Sequence, residues 1–455
     1  MAKKTNILRK IFTNKTVVAS IIFTLLLLII FHICSIIPCP GVKVTGGLNN
    51  NDVSSMLNLL AGGGMNRMSI FSVGVGPYIT AQIIIQLLSS DLIKPLARMN
   101  KNGERGKRKL EIITRVLALP FCVAQSYAVI ALLLQTGNFE IFGSKNISEL
   151  SAEKILILIL IFTAGTYLAL FIGDMISKRG VGNGITMLIL TGIVSSFFAD
   201  FSASFQYIKG MYAVTIENHD IIIALSIGLY IALFIIILIA CIFTNDSVRK
   251  IPIQQTGQGL IEKTEDLPYL PIKLNSAGVI PVIFASSIMT IPSTIMQFLP
   301  NINSGKIFIE HYLQIQTPVG LTIYALLIIA FCFFYSYIQI NPSQLAENFE
   351  KGGKFIPGVK SGADTEKHIT KVLNRINWIG APFLAIIAIT PYLISMLSGI
   401  PSGLAIGGTG IIILVTGSID FYSSIKSNAM ASSYSIEKKK IDIKDDSKKD
   451  SFQLW

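Results

Sequence analysis

The 455-residue chain is poor in charge: Asp, Glu, Lys and Arg together make up 14% of it, where a soluble domain carries roughly a quarter. A mean hydropathy of +0.62 and an apolar content of 51% exclude a soluble globular fold. The apolar runs are continuous rather than alternating, which excludes a membrane β-barrel. Cysteine is scarce, and Cys34, Cys39, Cys122, Cys241 and Cys332 each stand in or beside an apolar run with no C-x-x-C pair. That pattern supports neither a metal site nor a redox motif, and reads as small buried hydrophobes. His32, His219, His311 and His368 are scattered without ligand spacing. H-E-x-x-H, G-x-S-x-G and paired carboxylates within an apolar run are all absent from the chain. No catalytic residue, metal or cofactor is therefore expected, and no enzyme chemistry.

What remains is a multi-span α-helical membrane protein. Ten apolar runs are long enough to span: Thr16–Ile37, Ser72–Ser90, Thr114–Gln135, Lys154–Ile176, Ile185–Phe201, Ile221–Phe243, Ala277–Leu299, Pro318–Ile340, Ile376–Leu397 and Ala405–Ile425. Most of the 38 Lys and Arg fall in alternate connecting segments. By the positive-inside rule both termini lie in the cytoplasm of a cell-membrane protein. The formal charge of +12 is thus topological first, and no direct nucleic-acid partner is implied. Residues 1–15 carry Lys3, Lys4, Arg9, Lys10 and Lys15 around apolar residues, as a surface amphipathic helix would. The rival reading is a signal peptide, but the run to Ile37 is too long and ends without a small-residue cleavage site.

The stretch Met56–Asp91 is apolar yet broken, by Gly62, Gly63, Gly64, Asn66 and Arg67 and again by Gly74, Gly76 and Pro77. In hydrocarbon such a break survives only when buried in protein or lining water. The basic segment Lys94–Lys109 reads as a loop held by anionic lipid at about 1 kcal/mol per basic residue. Gly180, Gly182 and Gly184 mark a tight cytoplasmic turn; no strand precedes them, so a dinucleotide fingerprint fails. Residues 202–220 form an outer link. Five spans precede it (residues 16–201) and five follow (221–425), and an odd number in each half requires inverted halves. Two long cytoplasmic loops, 244–276 and 341–375, suggest function, and the tail 426–455 turns charge-mixed from Glu437.

Several strings, in order, resemble the SecY family, the channel subunit of the protein translocase. They are SIFSVGVGPYITAQIIIQLL (69–88), AGTYLALFIGDMISKRGVGNGI (164–185), LPIKLNSAGVIPVIFASSI (270–288), NPSQLAENFEKGG (341–353), FIPGVKSG (355–362), VLNRINWIGA (372–381) and IGGTGIIIL (406–414). The resemblance implies ten helices in two inverted five-helix halves around a central pore for unfolded preproteins, opening sideways into lipid. It implies an apolar pore ring of Val75, Ile79, Ile189, Ile193, Ile283 and Ile413. It also implies a plug within 54–67, carrying Leu57, Leu60, Gly62, Gly63, Gly64, Asn66 and Arg67. A lateral gate would run along Thr80, Gln86, Ser286 and Ser287, whose polar groups either bond across the seam or bond their own helices.

The partners implied are small SecE-like and SecG-like membrane subunits, the SecA motor ATPase or a ribosome, preprotein signal sequences and the lipid bilayer. Docking would use Arg249, Lys250, Lys351, Lys354 and Lys360. Two departures bear on it. Lys360 stands where the family has Arg, keeping the charge without the planar fork. The loop tip Ile251–Leu267 holds only Lys263 against Glu262, Glu265 and Asp266, where the family is usually basic. The alternative function is a small-solute secondary transporter, which also has inverted halves. Transporters place ionisable groups mid-membrane, whereas Asp91, Asp174, Asp200 and Asp420 all lie near span ends.

Overall fold

The computed structural model describes residues 14–44, 68–101, 103–135, 139–144, 150–212, 219–256, 268–296, 308–398 and 410–430. The fold is built of helices, with a short antiparallel strand pair of β1 (Val42–Val44) and β2 (Phe139–Ile141). The helices are α1 (Lys15–Ile36), α2 (Gly76–Leu87), α3 (Lys94–Lys101), α4 (Gly103–Gln135), α5 (Ala152–Arg179), α6 (Gly184–Tyr212) and α7 (His219–Asp246). Then come α8 (Ile280–Met296), α9 (Pro318–Ile340), α10 (Pro342–Lys351), α11 (Ala363–Ser398) and α12 over 410–430. Among the described residues, six of these helices are long and apolar enough to cross a membrane. The protein is an all-α, multi-span membrane protein.

Local chemistry sets the helix ends. α9 starts with Pro318, whose missing N–H costs nothing at that position, and Thr317 accepts a hydrogen bond from Gly320 N at 3.1 Å. It stops at Asn341, whose left-handed backbone (φ 38°) also lets its side chain cap α10 through Gln344 N. The α5–α6 turn takes its left-handed residue at Gly182 (φ 81°), where a Cβ would be strained.

Three expected boundaries move. The basic segment 94–109 is helix rather than loop: it forms α3 and the start of α4. Its Lys, Arg, Leu and Glu are good helix formers, and hydropathy alone registers only the apolar part. For the same reason α11 begins at Ala363, inside the expected cytoplasmic loop, with Asp364 and Glu366 in its first turn. α6 continues to Tyr212, well into the expected outer link.

Packing is sequential with one important crossing. α2 lies on α4, α4 on α5, α5 on α6 and α8 on α9, while α8 also contacts α2 and α4. Between α4 and α5, Arg115 pairs with Glu111 at 2.6 Å and with Asp174 of the neighbouring helix. Tyr167 OH donates to the Arg115 carbonyl at 2.7 Å. Asp174 is therefore held in a structural pair.

α5 and α6 touch backbone to backbone. A Cβ on Gly184 would stand 1.8 Å from the Gly173 carbonyl oxygen, the close approach that small residues give membrane helices. Gly184→Ala must push the two helices apart, at about 1–3 kcal/mol. The detergent-solubilised variant should melt several degrees lower, while Gly228→Ala, which meets open space on α7, should not. Equal melting of both would refute the contact.

Candidate functional site: an apolar cluster, a helix seam and a basic platform

The largest buried cluster joins residues from α2, α6, α8 and α12. Val75 is the residue before α2, and Ile79 donates its N–H to the Val75 carbonyl at 3.1 Å. That i, i+4 relation stacks the two side chains on one face. Ile189 and Ile193 repeat the spacing on α6. Ile283 lies in the first turn of α8 and Ile413 on α12. All six belong to this one cluster, with exposures between 2% and 7%. Phe71, Phe284, Met289 and Ile328 share it, and these the sequence did not single out. Their signal was only their apolar character, which hundreds of other positions share. The residues assigned to the plug lie outside the described residues.

The seam between α2 and α8 runs beside this cluster. Thr80 donates to the Gly76 carbonyl at 3.2 Å and Ser286 to the Ile283 carbonyl at 2.8 Å, each within its own helix. Gln86 Oε1 and Ser287 Oγ are buried without a hydrogen-bond partner. Of the two readings open for these side chains, own-helix bonding holds for Thr80 and Ser286. Among the described residues, none of the four bonds across the seam.

The two long loops expected on the cytoplasmic side form one unit. β3 (Val248–Pro252) pairs antiparallel with β5 (Tyr269–Lys273), with Arg249 opposite Ile272 and Lys250 opposite Pro271. β4 (Gln254–Gln255) pairs with β6 (Lys354–Phe355) of the other loop. A small core of Ile251, Ile253, Ile272, Phe349, Ile356, Ile369 and Leu373 fuses the strands to α10 and α11. Arg249, Lys250, Lys351, Lys354 and Lys360 all project from this unit and are exposed. Lys250 Nζ sits 4.9 Å from the Tyr269 ring, a cation–π contact. Lys351 Nζ lies 2.6 Å from Glu347 Oε1, and that hydrogen bond holds the Glu347 carboxyl below its usual range. Lys273 reaches Asp420 at 3.7 Å, tying the unit to α12. The hairpin was the element sequence reasoning missed. Its signal was the switch from outward Arg249 and Lys250 to buried Ile251 and Ile253.

No group of three or more His, Cys, Asp or Glu that could hold a metal occurs among the described residues.

The family model described as SecY matches residues 69–422. The chain is 51% identical over 430 residues to the protein translocase subunit SecY of Mycoplasmoides gallisepticum, covering 93% of this chain and 85% of that one. It is 50% identical to the same subunit of Mycoplasma pneumoniae over 440 residues, 95% of this chain and 91% of that one. With the Staphylococcus aureus subunit the identity is 37%, over 93% and 97% of the two chains. Among solved structures, a protein-conducting channel superposes with a TM-score of 0.64 at 18% identity, covering 89% of this chain and 91% of that one. A second, described for a plug domain that stabilises the closed channel, gives 0.62 at 17% identity and the same coverage. The motifs, the helical architecture and relatives matched along nearly the whole chain agree, and the chain belongs to the SecY family.

Proposed function

We propose that the chain is the central subunit of a protein-conducting channel in the cell membrane, with both termini cytoplasmic, and that six aliphatic residues within its largest buried cluster form the closed seal. As a family member it is a passive channel subunit and not an enzyme. One observation carries the reading: Val75, Ile79, Ile189, Ile193, Ile283 and Ile413, from four separate helices, converge in one buried cluster. Branched aliphatic side chains dewet a constriction against ions yet offer no hydrogen bond that would select among passing polypeptides. The ten helices would form two inverted halves around this seal. The transporter alternative lacks support, because Asp174 is committed to Arg115.

In this reading residues 54–67 plug the outer funnel, and Thr80, Gln86, Ser286 and Ser287 line a gate through which signal sequences reach lipid. Deleting residues 58–66 should raise the resting ion conductance. A deletion channel as tight as the full one would remove the plug from the account.

The platform would receive the motor ATPase or the ribosome, and small membrane subunits would clasp the helices. Lys360 lies on the exposed turn after β6 and keeps only its charge, while Lys351 is already partly neutralised by Glu347. Lys360→Glu should therefore slow motor-driven secretion several-fold, and more than Lys263→Glu, which adds an acid beside three existing ones. Secretion rates in membrane vesicles rank the two, and equal rates or the reverse order would refute the assignment.

A further inference from the structure

Just ahead of α2 lies an irregular stretch, residues 68–75, that is buried almost completely. Met68, Ser69 and Phe71 are at 0% exposure, Ser72 at 1%, Val75 at 2% and Val73 at 5%. Buried backbone groups must find partners, and those of this loop find them mostly within the loop. Met68 O accepts from Cys39 N at 2.8 Å, Ser69 O from Ser72 N at 3.0 Å, and Phe71 O from Gly74 N at 2.9 Å. Ser69 Oγ accepts from Phe71 N and Ser72 Oγ donates to Ser69 O. Gly74 takes a left-handed conformation (φ 59°). The loop is a buried, hydrogen-bonded plinth that ends in Val75 and leads directly into α2 and Ile79.

α5 lies beneath the plinth. Phe162 of α5 belongs to the same buried cluster as Met68 and Val73, and one turn on comes Gly165. A Cβ there would stand 2.0 Å from the Ile70 carbonyl oxygen and 2.9 Å from its carbon. Both are backbone atoms, so no rotamer change relieves the clash, and the loop must rise away from α5. Lifting the loop lifts the start of α2 and carries Val75 and Ile79 out of register with Ile189, Ile283 and Ile413.

We propose that Gly165 is a positioning residue for the seal: its missing side chain lets segment 68–75 sit low enough on α5 to place Val75 and Ile79 in the apolar ring. This rests on the reading of that ring as the closed seal. It assigns a channel-tightness role to a residue outside the ring, the plug and the seam.

The test is resting ion conductance of the purified full-length channel, with its co-purifying subunits, in planar bilayers. Gly165→Ala should raise the leak about tenfold, near the low end of what overpacking costs imply, and Gly165→Val should raise it further. Gly228→Ala, which adds a methyl in open space, should not. Ile283→Ser is measured in parallel as a direct breach of the ring. A leak from Ile283→Ser with none from Gly165→Ala overturns the positioning role and leaves the ring standing; no leak from either overturns both. Melting in detergent is followed alongside, and a lowered melting temperature without a leak marks ordinary packing loss and also overturns the role. If Gly165→Ala does not fold, Gly74→Ala strains the same plinth from within. It should leak in the same direction, and a tight Gly74→Ala channel overturns the proposal.

Discussion

Serine in place of both Ile189 and Ile283 should turn a tight resting channel into one that conducts ions continuously. The two side chains are 2% and 7% exposed and lie in the same cluster although they come from different helices. Each substitution removes most of a branched aliphatic side chain, a loss worth about 2–5 kcal/mol of packing in a buried site. It also supplies a hydroxyl on which water can begin to wet the constriction. Since about 1.4 kcal/mol is a factor of ten in an equilibrium, even partial loss from the closed state predicts a resting conductance at least tenfold higher. Motor-driven translocation should continue, because a wider waist still passes an extended chain. Ile236→Ala, on the 66%-exposed outer face of α7, removes a similar volume away from the cluster and should change nothing. The comparison is a planar-bilayer recording of three channels. A double-serine channel that stays as tight as the parent would show that these isoleucines are ordinary helix packing.

The spans were legible because bilayer thickness demands long apolar runs, and a run such as Ile221–Phe243 has no other physical explanation. The proposed ring rests on resemblance: nothing in the chemistry of Ile283 sets it apart from Ile280 or Ile288, which pack against the same cluster. Boundaries failed where helices leave the membrane. α4 extends back to Gly103 and α11 to Ala363 on charged residues that favour a helix as strongly as a leucine run but lower the hydropathy that marks a span. The strand unit was hard to read for another reason: β3 pairs with β5 across the 253–268 connection, and β4 with β6 a hundred residues away. Short strands pairing at such separation leave little local pattern. The glycine contacts, Gly165 on Ile70 and Gly184 on Gly173, were hidden most completely. A glycine in a membrane helix has several uses, and only the neighbouring backbone reveals which one applies.

Gln86→Leu should slow translocation, opposite to what a seam closed by polar bonds would give. The difference follows from where the seam's hydrogen bonds go. Thr80 and Ser286 spend their hydroxyls on their own helices, at 3.2 and 2.8 Å, so neither ties α2 to α8. Gln86 Oε1 and Ser287 Oγ are buried with no partner, and an unsatisfied buried polar atom costs about 1–3 kcal/mol. In the proposed gate that cost would fall on the closed state and be relieved when the helices part and water or a passing chain reaches these atoms. The orphaned atoms would then lower the barrier to opening, and replacing them with apolar groups of similar size would remove the penalty. Leucine at 86 conserves most of the volume, as does alanine at 287. Each should favour the closed channel, and about 1.4 kcal/mol of such stabilisation lowers the open population tenfold. The deficit should be largest for preproteins with weakly hydrophobic signal sequences, which bring the least energy to prise the seam apart. Thr80→Val, which removes only a bond within one helix, should have a much smaller effect. Translocation rates in proteoliposomes, with strong and weak signal sequences compared on each variant, separate the two accounts. Faster passage through Gln86→Leu, or release from the need for a strong signal, would mean that Gln86 holds the seam shut. The orphaned oxygen would then be the wrong guide to how this gate is balanced.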